Sequence, residues 1–407
     1  MHALLVVSLL ASIDLGAART AQAELQAMCD ADRGRLWGRS VCGPIVFADP
    51  RTREAVQLVD GHVTETRVPD SIGIANTGVD WDGRRWTMVM WPLPQSTIAR
   101  RVLLAHESFH RIQRELGLPM TNPANAHLDT AEGRYWMRME WRALARALAG
   151  DEQAIGDALA FRAKRHALAP NAAEEERLLE MNEGLAEHTG YALAIPHVRE
   201  RIAPLVKKLA NAEQSETFAR SFAYTTGPAW GALRDMQNPG WTMERRRPAP
   251  ADVAASRAAT PRPQKGGGAG RRRHQPARDA GAPDVSKYNG EAVLAEELAR
   301  AERKRALLAQ LEARFITGPT LTLPLEQMQF TFDPNHVQPF GDRGSVYETL
   351  EVRDVWGKIV VREGGGWITS DFKRLIVFAD GAGYDLTLNE GWKIVAGARE
   401  GDKTITR

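Results

Sequence analysis

The sequence predicts an α+β architecture in two folded units: a small N-terminal antiparallel sheet joined to a helical bundle, then a small all-β C-terminal domain. Three observations predict it. Residues 43–94 read as short apolar runs broken by turns, residues 95–240 repeat apolar side chains at steps of three and four, and short β-like runs return after Gly318. At 407 residues and 43% apolar content, the chain is also longer than one core usually serves.

The first residues, Met1 to Ile13, form an apolar run too short to span a bilayer, and Ala21-Gln22-Ala23 follows before Glu24. That is the plan of a signal peptide over residues 1–23, and it predicts an extracytoplasmic, secreted or periplasmic protein with no membrane span. Cys29 and Cys42 are the only cysteines, and in an oxidising compartment a disulfide closing the short loop between them is the economical expectation. Fifty-three basic residues against 51 acidic ones leave a net charge of +2, too little to make nucleic acid a default partner.

Within residues 24–240, strands are expected at Pro44–Phe47, Ala55–Val59 and Trp86–Trp91, the last ended by Pro92 and Pro94. Ser96 can cap a helix over 97–116 that Gly117 terminates, because Ile98, Val102, Ala105, Phe109 and Ile112 share one face. Asp129 and Glu132 suggest a capping box for a helix reaching about Leu148, and further helices are expected over 151–168, 172–195, 198–211 and 216–235. Residues 241–289, rich in Arg, Pro, Gly and Ala, read as a disordered linker, residues 290–316 as a connecting helix, and 317–407 as the β-rich domain.

The chemistry concentrates in His106-Glu107-Ser108-Phe109-His110. Two histidines four apart project from one helical face, close enough to share a tetrahedral zinc, with an acid beside them to take a proton from a metal-activated water. A catalytic zinc needs a third protein ligand. Glu183, in Met181-Asn182-Glu183-Gly184-Leu185-Ala186-Glu187, is the first choice; Asp129 and then Glu140 are the alternatives. Glu187, four residues after Glu183, is placed to orient a ligating histidine.

His-Glu-x-x-His followed by Asn-Glu-x-x-x-acid resembles the gluzincin metallopeptidases, the class of thermolysin and the zinc aminopeptidases. The resemblance implies a zincin-like catalytic domain, Zn²⁺ held by His106, His110 and Glu183, Glu107 as general base, and a peptide or protein substrate. Tyr224-Thr225-Thr226-Gly227 is similar to the Tyr-x-Lys-Gly element of the aminopeptidase branch, which implies that Tyr224 hydrogen-bonds the oxyanion; Thr226 stands where that element has lysine, and no Gly-x-Met-Glu-Asn motif occurs. The rival expectation is a non-catalytic cell-envelope scaffold whose β domain binds a polymer or partner. His127, His188 and the tryptophans Trp81, Trp86, Trp91, Trp136, Trp141, Trp230, Trp356, Trp367 and Trp392 are expected to be structural.

Overall fold

The computed structural model describes residues 13–243, 283–333 and 336–407. Most of the expected linker, 244–282, and the first 12 residues of the expected signal peptide lie outside the described residues. The chain is mixed α/β and divides into two compact units, Met1–Glu297 and Leu298–Arg407.

In the first unit, helix α1 (Leu15–Asp32) is capped by Asp14, whose side chain accepts from the Ala17 amide, and buries Ala18, Ala21, Leu25 and Met28. The cleavage point expected after Ala23 therefore falls inside a continuous helix with buried residues on both sides. A disulfide joins Cys29, near its C-terminus, to Cys42.

Five strands follow: β1 (Ile45–Ala48), β2 (Glu54–Val59), β3 (His62–Arg67), β4 (Thr77–Trp81) and β5 (Arg84–Met90). Asp60-Gly61 and Asp82-Gly83 have positive φ at both positions, as two-residue hairpin turns require, and close β2 on β3 and β4 on β5. The sheet order is β3-β2-β1-β5-β4. The expected antiparallel sheet is mixed, because the crossing from β3 to the opposite edge brings β5 alongside β1 in parallel, Phe47 opposite Val89.

Helix α2 (Thr97–Gln113), capped by Ser96, continues as a 3-10 turn to Leu116 and stops at Gly117, φ 69°. Its apolar face, Leu104, Ala105, Phe109 and Ile112, shares a core with Phe47 and Val89 of the sheet, with α1, and with Leu185 and Ala186. The remaining helices are α3 (Ala131–Leu148), α4 (Gln153–His166), α5 (Ala172–Leu179), α6 (Leu185–Ala194), α7 (Val198–Ala212) and α8 (Ala223–Gln237). Between α5 and α6 the backbone makes a single π turn, Glu180–Gly184. Thr130, rather than Asp129, caps α3 by accepting from the Gly133 amide. A second core around Trp141, Phe161, Phe218, Phe222 and Trp230 joins α3, α4 and α8.

The helix expected only to connect, α9 (Gly290–Glu312), begins on the first unit. Tyr288 just before it and Val293 are buried in the second core, and the ion pairs Arg134–Glu297 at 2.7 Å and Arg138–Glu297 at 2.9 Å hold the helix there. Among the described residues no helix is long and apolar enough to cross a membrane.

The second unit is β-rich, as expected. One antiparallel sheet runs Tyr384–Leu388, Gly357–Val361, Leu350–Asp354, Gln329–Phe332; the other has seven strands, Thr320–Pro324 and Arg374–Phe378 among them. Val352, Trp356 and Ile359 share one core with Leu321, Leu323 and Val377, so the two sheets form a sandwich. Trp356 and Trp367 are buried, their indole N–H groups donating to the carbonyls of Pro324 and Arg343.

Replacing both Cys29 and Cys42 by alanine is expected to lower the unfolding free energy of the first unit by about 3 kcal/mol, the value for a loop of this length. The shift in denaturant midpoint under non-reducing conditions measures it.

Candidate metal centre

Helix α2 packs between the sheet and α6 and presents His106 and His110 on the side facing the π turn. The two Nε2 atoms lie 3.1 Å apart, and Oε2 of Glu183 is 3.4 Å from each. All three residues are buried, and Glu183 Oε2 has no hydrogen-bond partner among the described residues. A tetrahedral zinc with ligands at about 2.0–2.1 Å has ligand–ligand edges of about 3.3–3.4 Å. The triangle formed by these three atoms therefore matches one face of such a site.

The other ring nitrogens settle the tautomers. His106 Nδ1 donates to Glu187 Oε2 at 2.8 Å, and His110 Nδ1 donates to Gln113 Oε1 at 2.7 Å. Gln113 must present its oxygen, because its amide nitrogen donates to the Pro119 carbonyl and to Asn182 Oδ1. In the neutral form each imidazole thus turns a bare Nε2 lone pair toward the centre, where the Glu183 oxygen also points.

Three electron-rich atoms facing one another call for a cation. Burial opposes charge on His106, but the Glu183, Glu187 and Glu107 carboxylates around it outweigh that and push the imidazole up to about 10. Burial would raise Glu183 and Glu187 as well, but the imidazoles, with Lys208 for Glu187, pull both carboxyls below the usual range. Glu107 behaves differently: burial raises it against the opposing pull of the two imidazoles. Its Oε1 lies 4.0 Å from His106 Nε2, farther than Glu183, and its Oε2 is buried without a hydrogen-bond partner among the described residues. Glu107 is therefore placed as a neighbour of the centre able to hold a proton, and Glu183 as the third donor.

Tyr224, in the first turn of α8, stacks on His106 with ring centroids 5.4 Å apart and planes at 3°. Burial and the Glu183 carboxylate push its hydroxyl above the ordinary range, so it remains a hydrogen-bond donor. What brings it there is a contact between glycines: a Cβ on Gly227 would overlap the Gly184 backbone. Thr226 adds a hydrogen bond at 3.0 Å to Glu180, the first residue of the π turn, and Arg162 grips the same carboxylate at 2.6 and 2.8 Å. Single π turns recur where a helix must redirect a side chain.

His106, Glu107, His110, Glu183, Glu187 and Tyr224 all line one cleft of about 810 Å³. The alternative ligands lie elsewhere. Asp129 accepts from the Thr217 hydroxyl at 2.7 Å and the Phe218 amide at 2.9 Å, and Glu140 is buried against Arg162, Arg165 and Trp230. His127 donates to Glu176, and His188 packs on Trp241, so both stand apart from the cleft. Sequence reasoning missed three supporting residues. Gln113, three residues after His110 on the same helix, had a spacing signal; Asn182, which donates to Glu183 Oε1 at 3.0 Å, had only adjacency; Lys208, which donates to Glu187 Oε1 at 2.7 Å from α7, had none.

No family model, curated protein or solved structure matches this chain.

Gly227→Ala is expected to destabilise the first unit by about 3 kcal/mol or more, since two backbones must separate. Thr226→Val should cost about 1 kcal/mol for one buried hydrogen bond. Chemical denaturation of both variants reads the difference.

Proposed function

We propose that the chain is an extracytoplasmic zinc-dependent metallopeptidase of gluzincin type. The observation that carries this reading is the triangle of His106 Nε2, His110 Nε2 and Glu183 Oε2, with edges of 3.1, 3.4 and 3.4 Å and an open cleft on one side. Two imidazoles and a carboxylate are a donor set that suits zinc, and three protein ligands with one position left open are the arrangement of catalytic rather than structural sites. Bound there, zinc would lower the pKa of a water to about 7 and polarise the scissile carbonyl.

The chain's own residues supply the remaining steps. Glu107, kept partly proton-loving by burial, takes the proton from the attacking water and hands it to the leaving amine. Tyr224 donates its hydroxyl hydrogen bond to the oxyanion as charge develops there. Glu187 and Gln113 hold the imidazole planes in place. Strand β4 is an outer strand of its sheet, and its Thr77 lines the cleft, so an extended peptide can pair with that edge while its bond faces the histidines. The disulfide supports an oxidising compartment.

Metal analysis of the purified protein is expected to find one zinc per chain, lost in His106→Ala. Glu107→Gln should retain that zinc while peptide cleavage falls at least a hundredfold, within the range for loss of a general base. A wild-type protein that holds no zinc after gentle purification would instead favour the scaffold reading.

A further inference from the structure

We propose that the cleft recognises a carboxylate on its peptide substrate through Arg220. The inference rests on the peptidase reading and names the substrate feature which that site selects.

The walls of the cleft differ in character. Ile98, Val102, His106 and His110 succeed one another at steps of four along one face of α2, so the wall running from the metal centre to the helix N-terminus is apolar for about 12 Å, the rise of eight residues. Val102 is 8% exposed and Ile98 is 51% exposed, so this face offers mainly apolar surface. Met120 extends that surface.

Among the described residues, two cationic side chains other than histidine line the cleft, Lys208 and Arg220. Lys208 is already bound to Glu187 at 2.7 Å and sits against the Tyr191 ring. Arg220 makes no ion pair or hydrogen bond with any described residue. Several arginines that face the interior of this unit do: Arg134, Arg138, Arg142, Arg162 and Arg165 each hold a carboxylate.

The backbone beneath Arg220 is held in place. Asp129 accepts from both Thr217 and Phe218, Arg134 donates to the carbonyls of Ser215 and Glu216, and Ser221 donates to the Thr217 carbonyl at 2.7 Å. Phe218 and Phe222, on either side, are fully buried. A long cationic side chain thus leaves an ordered backbone four residues before Tyr224, with its guanidinium unengaged. Such a group offers paired N–H donors to a planar carboxylate, and ordering of its base reduces the entropy lost on binding.

Charge balance points the same way. Lys208 is paired with Glu187 at 2.7 Å, a divalent cation bound at the histidines would offset Glu183, and Arg220 has no carboxylate partner among the described residues. The carboxylate can come from an aspartate or glutamate side chain or from the peptide C-terminus.

The test uses full-length, zinc-loaded Glu107→Gln protein as a non-cleaving trap and three fluorescent peptides alike except for one internal Glu, one internal Gln, or the Gln peptide with an amidated C-terminus. Fluorescence anisotropy is expected to show about tenfold tighter binding of one carboxylate-bearing form over its neutral counterpart. A Glu-over-Gln difference assigns the side chain, and a free-over-amidated difference assigns the C-terminus. The added Arg220→Gln substitution should erase that difference, and raising the salt should shrink it. Equal binding of all three peptides, or a preference that survives Arg220→Gln, overturns the inference while cleavage of the neutral peptide by zinc-loaded wild type leaves the peptidase reading standing. Absence of both zinc and cleavage overturns the two together.

Discussion

The close approach of Gly184 and Gly227 is the constraint on which the rest of the site depends. It sets the separation of the π turn and α8 at backbone contact, and the residues flanking that contact are Glu183 on one side and Tyr224 and Thr226 on the other. A side chain at Gly227 would push α8 away, and the Tyr224 ring could no longer stack on His106. Glycine at 227 is therefore a requirement of close approach, a Cβ on Gly184 would sit a tight 3.3 Å from the Gly227 Cα, and neither residue has positive φ.

Around that contact the unit buries an unusual amount of charge. Glu140, Arg162, Arg165, Glu176 and Glu180 are all buried and tie α3, α4, α5 and the π turn into one network. Buried ion pairs contribute little net stability, because desolvation offsets most of their attraction. Their value here is geometric. Arg162 holds Glu180 with two hydrogen bonds while Thr226 takes the same carboxylate, so the register of the π turn against α8 is specified by directional contacts. An apolar layer would permit sliding.

Much of this was legible in the sequence, and the parts that were not share a physical cause. Periodicity located α2, the helical region and the strands of the second unit, and the spacing of His106 and His110 put both on one face. The crossing from β3 to β4 was not legible, because strand order depends on where a loop lands, which no local pattern encodes. Helix α1 was hidden by its own composition: an Ala-rich amphipathic helix following an apolar run reads equally well as the end of a leader. Asp129 carried the signature of a cap and spends its carboxylate on a loop 88 residues away, a contact that exists only in three dimensions. Lys208 was invisible for the same reason.

Lys208 nevertheless bears on which nitrogen of His106 faces the centre with a free lone pair. A buried carboxylate with no cation would tend to keep its proton, and a protonated Glu187 could offer that proton to His106 Nδ1 and turn the imidazole to the wrong tautomer. Lys208, bonded to the other oxygen at 2.7 Å, and His106 together hold Glu187 below the usual carboxylate range despite its burial. An ionised Glu187 can only accept, so His106 Nδ1 must donate, and in the neutral imidazole Nε2 is left as the bare lone pair facing His110 and Glu183. On His110 the same end is reached without charge, through a glutamine whose amide nitrogen is committed to Pro119 and Asn182. The two Nε2 atoms are thus oriented by unlike means, one electrostatic and one purely geometric. The electrostatic arm alone responds to the loss of a distant cation.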